Sequence, residues 1–351
     1  MTPVKHLYVH IPFCNNLCKY CDFVRLINQP NDIKKKYIKK VTNQIQKKYK
    51  LKQFQTIYVG GGTPNCLDDQ LLSELLSTLN KYIDKRANYE FTIECNPELV
   101  NVSQVNILKK CDINRISLGA QTVNNDLLKQ MNRRHTWKNV LNAVQLLRAT
   151  QINNISLDFI YGFNELTDAD VKKTLKFIKE LSIPHVSWYA LEVKNNSILN
   201  KEKYQIDENK IDRHLEMIIT NMAKNGYQRY EVSSWASHLK YESVHNKSYW
   251  LSQEWAAVGF GACGFEQQTY YENKGSLTAY HVIKHKLNER DYYFQILMMG
   301  LRLKKGLPLK QKMYLLAYQY FQKKLKGVKI KNNFLVAENI NLLDNILIEL
   351  L

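Results

Sequence analysis

The sequence predicts an α/β protein, an open and partial (β/α)6 barrel followed by a smaller C-terminal α+β region. Three observations predict it. Six β-like runs, five of them followed by helical periodicity, alternate across residues 1–206, the pattern of a parallel sheet covered by helices. Six such units are too few to close an eightfold barrel. The residues best suited to chemistry fall at or just after strand ends, where barrels of this kind keep their sites.

Taken in order, His6–Ile11 alternates and stops at Pro12, where a strand releases a loop. Residues 31–50 are polar, with Ile33, Tyr37, Ile38, Val41 and Ile45 at helical spacing. Residues 56–59 form a second β run that ends in Gly60-Gly61-Gly62-Thr63-Pro64. Asp68 is placed to cap a helix whose buried stripe is Leu71, Leu72, Leu75, Leu76 and Leu79. Strands are expected over 90–95, 115–120, 154–161 and 185–191, and helices over 103–110, 125–131, 137–149 and 168–181. After Ile206 the pattern changes to a helix (208–225), a short β run (229–233) and a glycine- and aromatic-rich loop. Helical patterns resume over 277–287 and 292–303, and the tail from Pro308 reads helix–strand–strand–helix, a small winged-helix-like module. The implied division is a barrel core (1–206), an accessory region (207–303) and a C-terminal module (304–351).

Composition narrows the class. With 45% apolar and 11% aromatic residues the chain is that of a folded protein. No run of 18 apolar residues exists, so no transmembrane helix is expected. The first strand pattern begins within a few residues of Met1, which leaves no room for a signal peptide and implies a cytoplasmic protein. Seven cysteines, an odd number, suit a reducing compartment. The formal charge of +18 comes mostly from scattered lysines, which read as solvated surface; no nucleic-acid partner is expected, because phosphate readers concentrate arginine and aromatics on one element.

Three of the seven cysteines, Cys14, Cys18 and Cys21, fall within eight residues at C-x3-C-x2-C spacing. Thiolates this close can converge on one soft metal centre, whereas a disulfide would strand the third. Iron–sulfur clusters are held by cysteine thiolates, usually four, so three ligands on a [4Fe–4S] cluster leave one iron open to an exogenous molecule. A zinc site would need a fourth ligand, for which His10 is the local candidate. Cys66, Cys95, Cys111 and Cys263 are scattered and read as packing residues. The three glycines at 60–62 let a backbone approach a ligand with no Cβ in the way. Glu94, before Asn96-Pro97, can accept both ribose hydroxyls of an adenosine. Arg133 offers a fixed cation for a carboxylate. Gln121 and Asp158 end strands four and five.

The cysteine spacing, with Tyr20 just before Cys21, resembles the radical S-adenosylmethionine (SAM) superfamily. The longer segments resemble one family within it, the oxygen-independent coproporphyrinogen III oxidase-like proteins. They are Tyr8-Val9-His10-Ile11-Pro12-Phe13-Cys14, Gly60-Gly61-Gly62-Thr63-Pro64, Asn114-Arg115-Ile116-Ser117-Leu118-Gly119-Ala120-Gln121 and Leu157-Asp158-Phe159-Ile160-Tyr161-Gly162. The resemblance spans residues 7–303. It implies a [4Fe–4S] cluster on Cys14, Cys18 and Cys21. It also implies SAM held by Tyr8, Tyr20, Gly61, Gly62, Thr63, Glu94, Gln121, Arg133 and Asp158.

Two branches of that family differ in what they do. In the dehydrogenase branch (HemN) a fourth cysteine follows in C-x-C and a long N-terminal arm helps hold the porphyrinogen. Here that position is Phe23, and the chain begins 13 residues before Cys14. Both departures resemble the haem-chaperone (HemW) branch, whose H-N-x-x-Y-W signature matches His245-Asn246-Lys247-Ser248-Tyr249-Trp250. Cys263 stands where that branch usually has a histidine, and Asn164-Glu165 where it favours a Pro-Gly turn. The resemblance implies haem as bound cargo, with His245, Tyr249 and Trp250 as candidate contacts, since imidazole ligates iron and rings pack on the macrocycle. A core histidine in an aromatic cluster is the alternative. The rival activity is oxidative decarboxylation of coproporphyrinogen III to protoporphyrinogen IX. Expected partners are haem or a porphyrin and haem-acceptor proteins. Residues 302–331 carry ten basic and no acidic side chains, which suits either a solvated face or peripheral contact with an anionic membrane.

Overall fold

The computed structural model describes residues 3–86 and 88–351; Met1 and Thr2, on which the signal-peptide reading bears, and Ala87 lie outside them. The barrel half contains β1 (His6–Ile11), then β2 (Phe13–Cys14) and β3 (Leu26–Ile27) within the cysteine loop, and α1 (Asn31–Lys48). It continues with β4 (Thr56–Gly61), α2 (Asp69–Asn80), β5 (Glu90–Cys95), α3 (Val102–Lys110) and β6 (Arg115–Gln121). Next come α4 (Asn125–Gln130), α5 (Trp137–Ala149), β7 (Ile155–Tyr161), α6 (Asp168–Glu180) and β8 (His185–Ala190). Strands β1, β4, β5, β6, β7 and β8 pair in that order, each parallel to the last. This is the expected open six-unit barrel.

Alternation along each strand builds two layers. Leu7, Val9 and Ile11, Ile57 and Val59, and Phe91 and Ile93 are fully buried in the main apolar core, with Ile38 and Val41 of α1 and the leucine stripe of α2. Asp68 does cap α2, accepting from the Leu71 N–H at 2.7 Å. The intervening strand positions meet one another instead: Tyr58 donates to Glu94 and Ser117 to Asp158. The barrel interior is therefore polar, which is what makes it available for binding.

After β8 the chain runs through α7 (Ile198–Lys201), and past residue 206 through α8 (Glu208–Lys224), β9 (Gln228–Arg229), β10 (Ser234–Ala236) and α9 (Val244–Trp250). It then forms β11 (Trp255–Val258), β12 (Cys263–Glu266), β13 (Thr269–Gly275) and β14 (Tyr280–Lys286). These strands extend both edges of the barrel sheet, in the order β14-β13-β12-β11-β1-β4-β5-β6-β7-β8-β10-β9. Three expectations are corrected here. The aromatic loop is largely β11–β13, and the helix expected over 277–287 is β14, paired in register with β13 from Thr269↔Lys286 to Gly275↔Tyr280. Leu277, Tyr280 and Leu287 mimic helical spacing, but the β-branched Val282 and Ile283 fit a pleated ladder better. The β run expected over 229–233 is mostly the turn between β9 and β10, which pair antiparallel as a hairpin.

The tail comprises α10 (Glu289–Gly300), β15 (Leu307–Pro308), α11 (Lys312–Phe321), β16 (Val328–Lys331), β17 (Phe334–Ala337) and α12 (Leu343–Ile348). Its helix–strand–strand–helix order follows the sequence reading, and β15 adds a third strand beside β17. Ile296, Leu297 and Leu301 of α10 and its C-terminus pack with Tyr314, Phe321, Leu335 and Leu347 in a second apolar core. That core draws in α10, which lies within the region expected to be accessory (207–303).

Candidate functional site

A cavity of about 390 Å³ opens at the C-terminal ends of the parallel strands. The loop after β1 brings Cys14, Cys18, Tyr20 and Cys21 to its wall, and the end of β4 brings Gly61, Gly62 and Thr63. Glu94 of β5, Gln121 of β6, Arg133 of the loop after α4 and Asp158 of β7 complete the polar side. Tyr8 does not reach the cavity. It lies one layer deeper, donating to His10 Nδ1 at 3.0 Å, while His10 Nε2 donates to the Val24 carbonyl at 2.8 Å. His10 is thereby engaged on both nitrogens and is no fourth metal ligand.

The cradle depends on missing side chains. A Cβ on Gly62 would stand 2.9 Å from Cys14 Sγ, and one on Gly61 would stand 2.6 Å from the His10 ring. Gly61 also holds φ at +115°, a left-handed conformation that favours glycine. Gln121 has φ of +60° at a register shift in β6, which re-aims the strand end towards the cavity.

All seven cysteines are free thiols. Thr63 Oγ1 donates to Cys14 Sγ at 3.5 Å, and Arg133 Nη1 to Cys18 Sγ at 3.6 Å. Burial pushes the Cys14 thiol up and that of Cys21 to about 11. Thiols held neutral in this way ionise when a metal replaces the proton. Among the described residues, no three Cys, His, Asp or Glu side chains converge on a single metal ion.

The polar wall is organised around two carboxylates. Burial pushes Glu94 up to about 7, against the hydrogen bonds it receives from Tyr58 O–H (2.8 Å) and Gly61 N–H (3.1 Å); the Asp158 charge adds to the rise. Burial also raises Asp158, opposed by donation from Ser117 at 2.6 Å and Ser156 at 2.9 Å. Burial works against the Arg133 charge, but Tyr20 and Cys18 outweigh it. Its Nη2 is fixed by Asn96 Oδ1 and the Gly119 carbonyl, both at 2.9 Å. Tyr58 and Ser117 were not singled out from sequence. Their signal was a polar residue alternating with buried apolar ones in a strand, which marks the inner face of a barrel.

The H-N-x-x-Y-W segment lies elsewhere. His245 and Tyr249 sit at the opposite end of the strands, beside Thr56 at the start of β4, and Trp250 packs under the Arg302 guanidinium. Both His245 nitrogens are hydrogen bonded and burial keeps the ring neutral.

Comparison with known proteins adds the lineage. Residues 8–178 match the Radical SAM superfamily. The chain is 34% identical over 314 residues to "Heme chaperone HemW" of Lactococcus lactis subsp. lactis (strain IL1403), covering 85% of this chain and 82% of that protein. It is 30% identical over 287 residues to the protein of the same name from Bacillus subtilis (strain 168), covering 79% and 75%. The solved structure of coproporphyrinogen III oxidase (HemN) from Escherichia coli superposes with a TM-score of 0.81 at 20% identity, over 99% of this chain and 90% of that one. That likeness speaks for the fold alone. The chain belongs to the HemW family of radical SAM proteins.

Proposed function

We propose that this protein is a haem-binding chaperone built on a radical SAM core. Cys14, Cys18 and Cys21 hold a [4Fe–4S] cluster, and SAM lies in the adjoining cavity against Gly61, Gly62, Thr63, Glu94, Gln121, Arg133 and Asp158, with Tyr20 beside the cysteines. When bound, the cluster supplies an open iron for the amino and carboxylate groups of SAM and a reducing electron. The observation that carries this reading is that three free thiols line the same cavity as the paired carboxylates and Arg133. Thr63 and Arg133 donate to two of the sulfurs, as groups that tune a cluster do.

The cargo reading draws on the relatives' printed name and on the cavity mouth. Phe23 is 62% exposed and Tyr189 44% exposed there, with Arg25 and Lys194 beside them. Flat aromatics flanked by cations suit a planar macrocycle with carboxylate substituents. Phe23 also stands where the dehydrogenase branch has its extra cysteine, which favours the chaperone over coproporphyrinogen oxidation. Among the described residues no helix is long and apolar enough to cross a membrane. Haem would pass to an acceptor protein by contact, with the basic tail as a candidate docking surface. Anaerobic reconstitution followed by haem titration and a coproporphyrinogen turnover assay tests the proposal. Haem binding without turnover is expected; turnover without haem binding overturns it.

A further inference from the structure

Of the groups that complete the polar side of the cavity, Glu94, Gln121 and Asp158 stand on strands, whereas Arg133 stands on the loop between α4 and α5. It is nonetheless held at every nitrogen. Nε donates to His135 Nδ1 at 3.3 Å, Nη1 to Cys18 Sγ at 3.6 Å, and Nη2 to Asn96 Oδ1 and the Gly119 carbonyl, both at 2.9 Å. None of these acceptors is a carboxylate; they are an imidazole, a sulfur, an amide and a peptide carbonyl. The Glu98 charge reaches the guanidinium only at longer range. A cation taken out of water usually finds an anionic partner, but this one is fixed without being neutralised.

His135 makes that arrangement possible. Its side chain is fully buried and does not line the cavity. Arginine has donors only, so the Nδ1 lone pair is spent on Arg133 and the ring proton sits on Nε2, which donates to the Ala120 carbonyl at 3.1 Å. Burial, with the Arg133 charge adding to it, pushes the imidazole down to about 3, so the ring stays a neutral acceptor. Glu98 Oε2 lies 3.7 Å from Nδ1, beyond hydrogen-bond reach. Glu98 Oε1 instead takes the Asn96 amide N–H at 3.4 Å, which turns Asn96 Oδ1 to the guanidinium. Asn96 is itself pinned: its backbone N–H donates to Asn65 Oδ1 at 2.9 Å and its carbonyl accepts from Asn65 Nδ2 at 3.2 Å.

We propose that His135 is a positioning residue for Arg133: with Asn96 it holds the guanidinium through neutral acceptors, so that the charge stays available to an anionic group in the cavity and to the Cys18 sulfur. Ala120 and Gly119, adjacent on β6, fix the imidazole and the guanidinium to the same strand end, so the loop residue is as rigidly aimed as Gln121 beside it. That the anionic group is the SAM carboxylate rests on the cavity being the site of SAM.

The test begins without a ligand. In unloaded protein labelled with 15N-arginine, the Arg133 Nε–H, identified by its loss in Arg133→Lys, gives a hydrogen-bonded, slowly exchanging signal. His135→Asn, whose Oδ1 stands near the place of Nδ1, keeps that signal. His135→Gln, which reaches Ala120 but offers no acceptor at the Nδ1 position, loses it. In the reconstituted protein His135→Gln weakens SAM binding about tenfold and lowers the reduction potential of the cluster, because a hydrogen bond from a cation to a cluster sulfur favours the reduced form; His135→Asn restores both. A His135→Gln protein with wild-type signal, potential and SAM affinity overturns the proposal. So does a loss that His135→Asn fails to restore, which makes the ring only an anchor on Ala120. Asn96→Asp keeps the acceptor but sets a carboxylate on the guanidinium, so SAM binding weakens about tenfold while the Nε–H signal stays. Unchanged SAM affinity there is equally fatal, and this variant decides the matter should His135→Gln not fold. Wild-type protein that holds the cluster but binds no SAM overturns the cavity assignment, and the Nε–H signal and the potential then decide the positioning role by themselves.

Discussion

Replacing Glu94 by glutamine keeps the shape of the side chain while removing its charge and one acceptor. In the wild type, burial pushes this carboxyl from 4.5 up to about 7, so near neutrality it is only partly ionised. Ribose hydroxyls are donors and need the ionised form. SAM affinity is therefore expected to rise with pH through about 7 and level off above. A hydrogen bond to a charged group contributes about 1.5–3 kcal/mol, so Glu94→Gln should weaken binding by roughly 10- to 150-fold on the alkaline plateau and abolish the pH step. Stability moves the other way. The folded protein holds this proton more tightly than the unfolded chain, so stability is greatest below pH 4.5 for this group and is lost as pH rises to about 7. The loss is at most about 3 kcal/mol, less because Glu94 is partly open to the cavity. The glutamine variant lacks that slope. Calorimetric titration of SAM into reconstituted protein, with urea unfolding of the unloaded protein, measures both. Equal SAM affinity in the two proteins at every pH refutes the ribose assignment.

Four further outcomes are expected. Alanine at Cys14, Cys18 or Cys21 abolishes the visible absorption and the complement of about four irons after reconstitution, whereas Cys66→Ala and Cys111→Ala leave both; a full cluster in the triple variant refutes the ligand set. Coproporphyrinogen is not consumed in excess SAM and reductant, measured by porphyrin chromatography, and robust protoporphyrinogen formation moves the protein to the dehydrogenase reading. Gly61→Ala, forced against the His10 ring at a positive φ, lowers stability by about 1–3 kcal/mol in urea unfolding; an unchanged midpoint means the turn is not constrained. The exposed Lys323, Lys324 and Lys326, at about 1 kcal/mol each near an anionic leaflet, give sedimentation with phosphatidylserine vesicles at low salt that is lost on triple replacement by glutamate; equal recovery leaves the tail a solvated surface.

What could be read from the sequence was local. The alternation of strands and helices, the leucine stripe of α2 and its Asp68 cap, the C-x3-C-x2-C loop and the triple glycine all involve residues within one or two turns of each other, where periodicity and backbone sterics decide the outcome. Even the convergence of Cys14, Gly61, Glu94, Gln121, Arg133 and Asp158 was legible, because parallel βα units bring every strand's C-terminal end to one side. Tertiary structure decided what depends on pairing across long separations. Strand β11 pairs with β1, as in Trp255↔His6 and Val258↔Val9, and so seeds the β12–β14 extension that helical spacing had disguised. Tyr8 matched a ligand position, but it does not line the cavity, and its hydroxyl is spent on His10. His245 is conspicuous in sequence, yet its chemistry is set by Thr56 and Tyr249, which take both ring nitrogens. An imidazole ligates, donates or merely stacks according to what its lone pairs meet, and in this protein the partners come from strands and helices that only folding brings together.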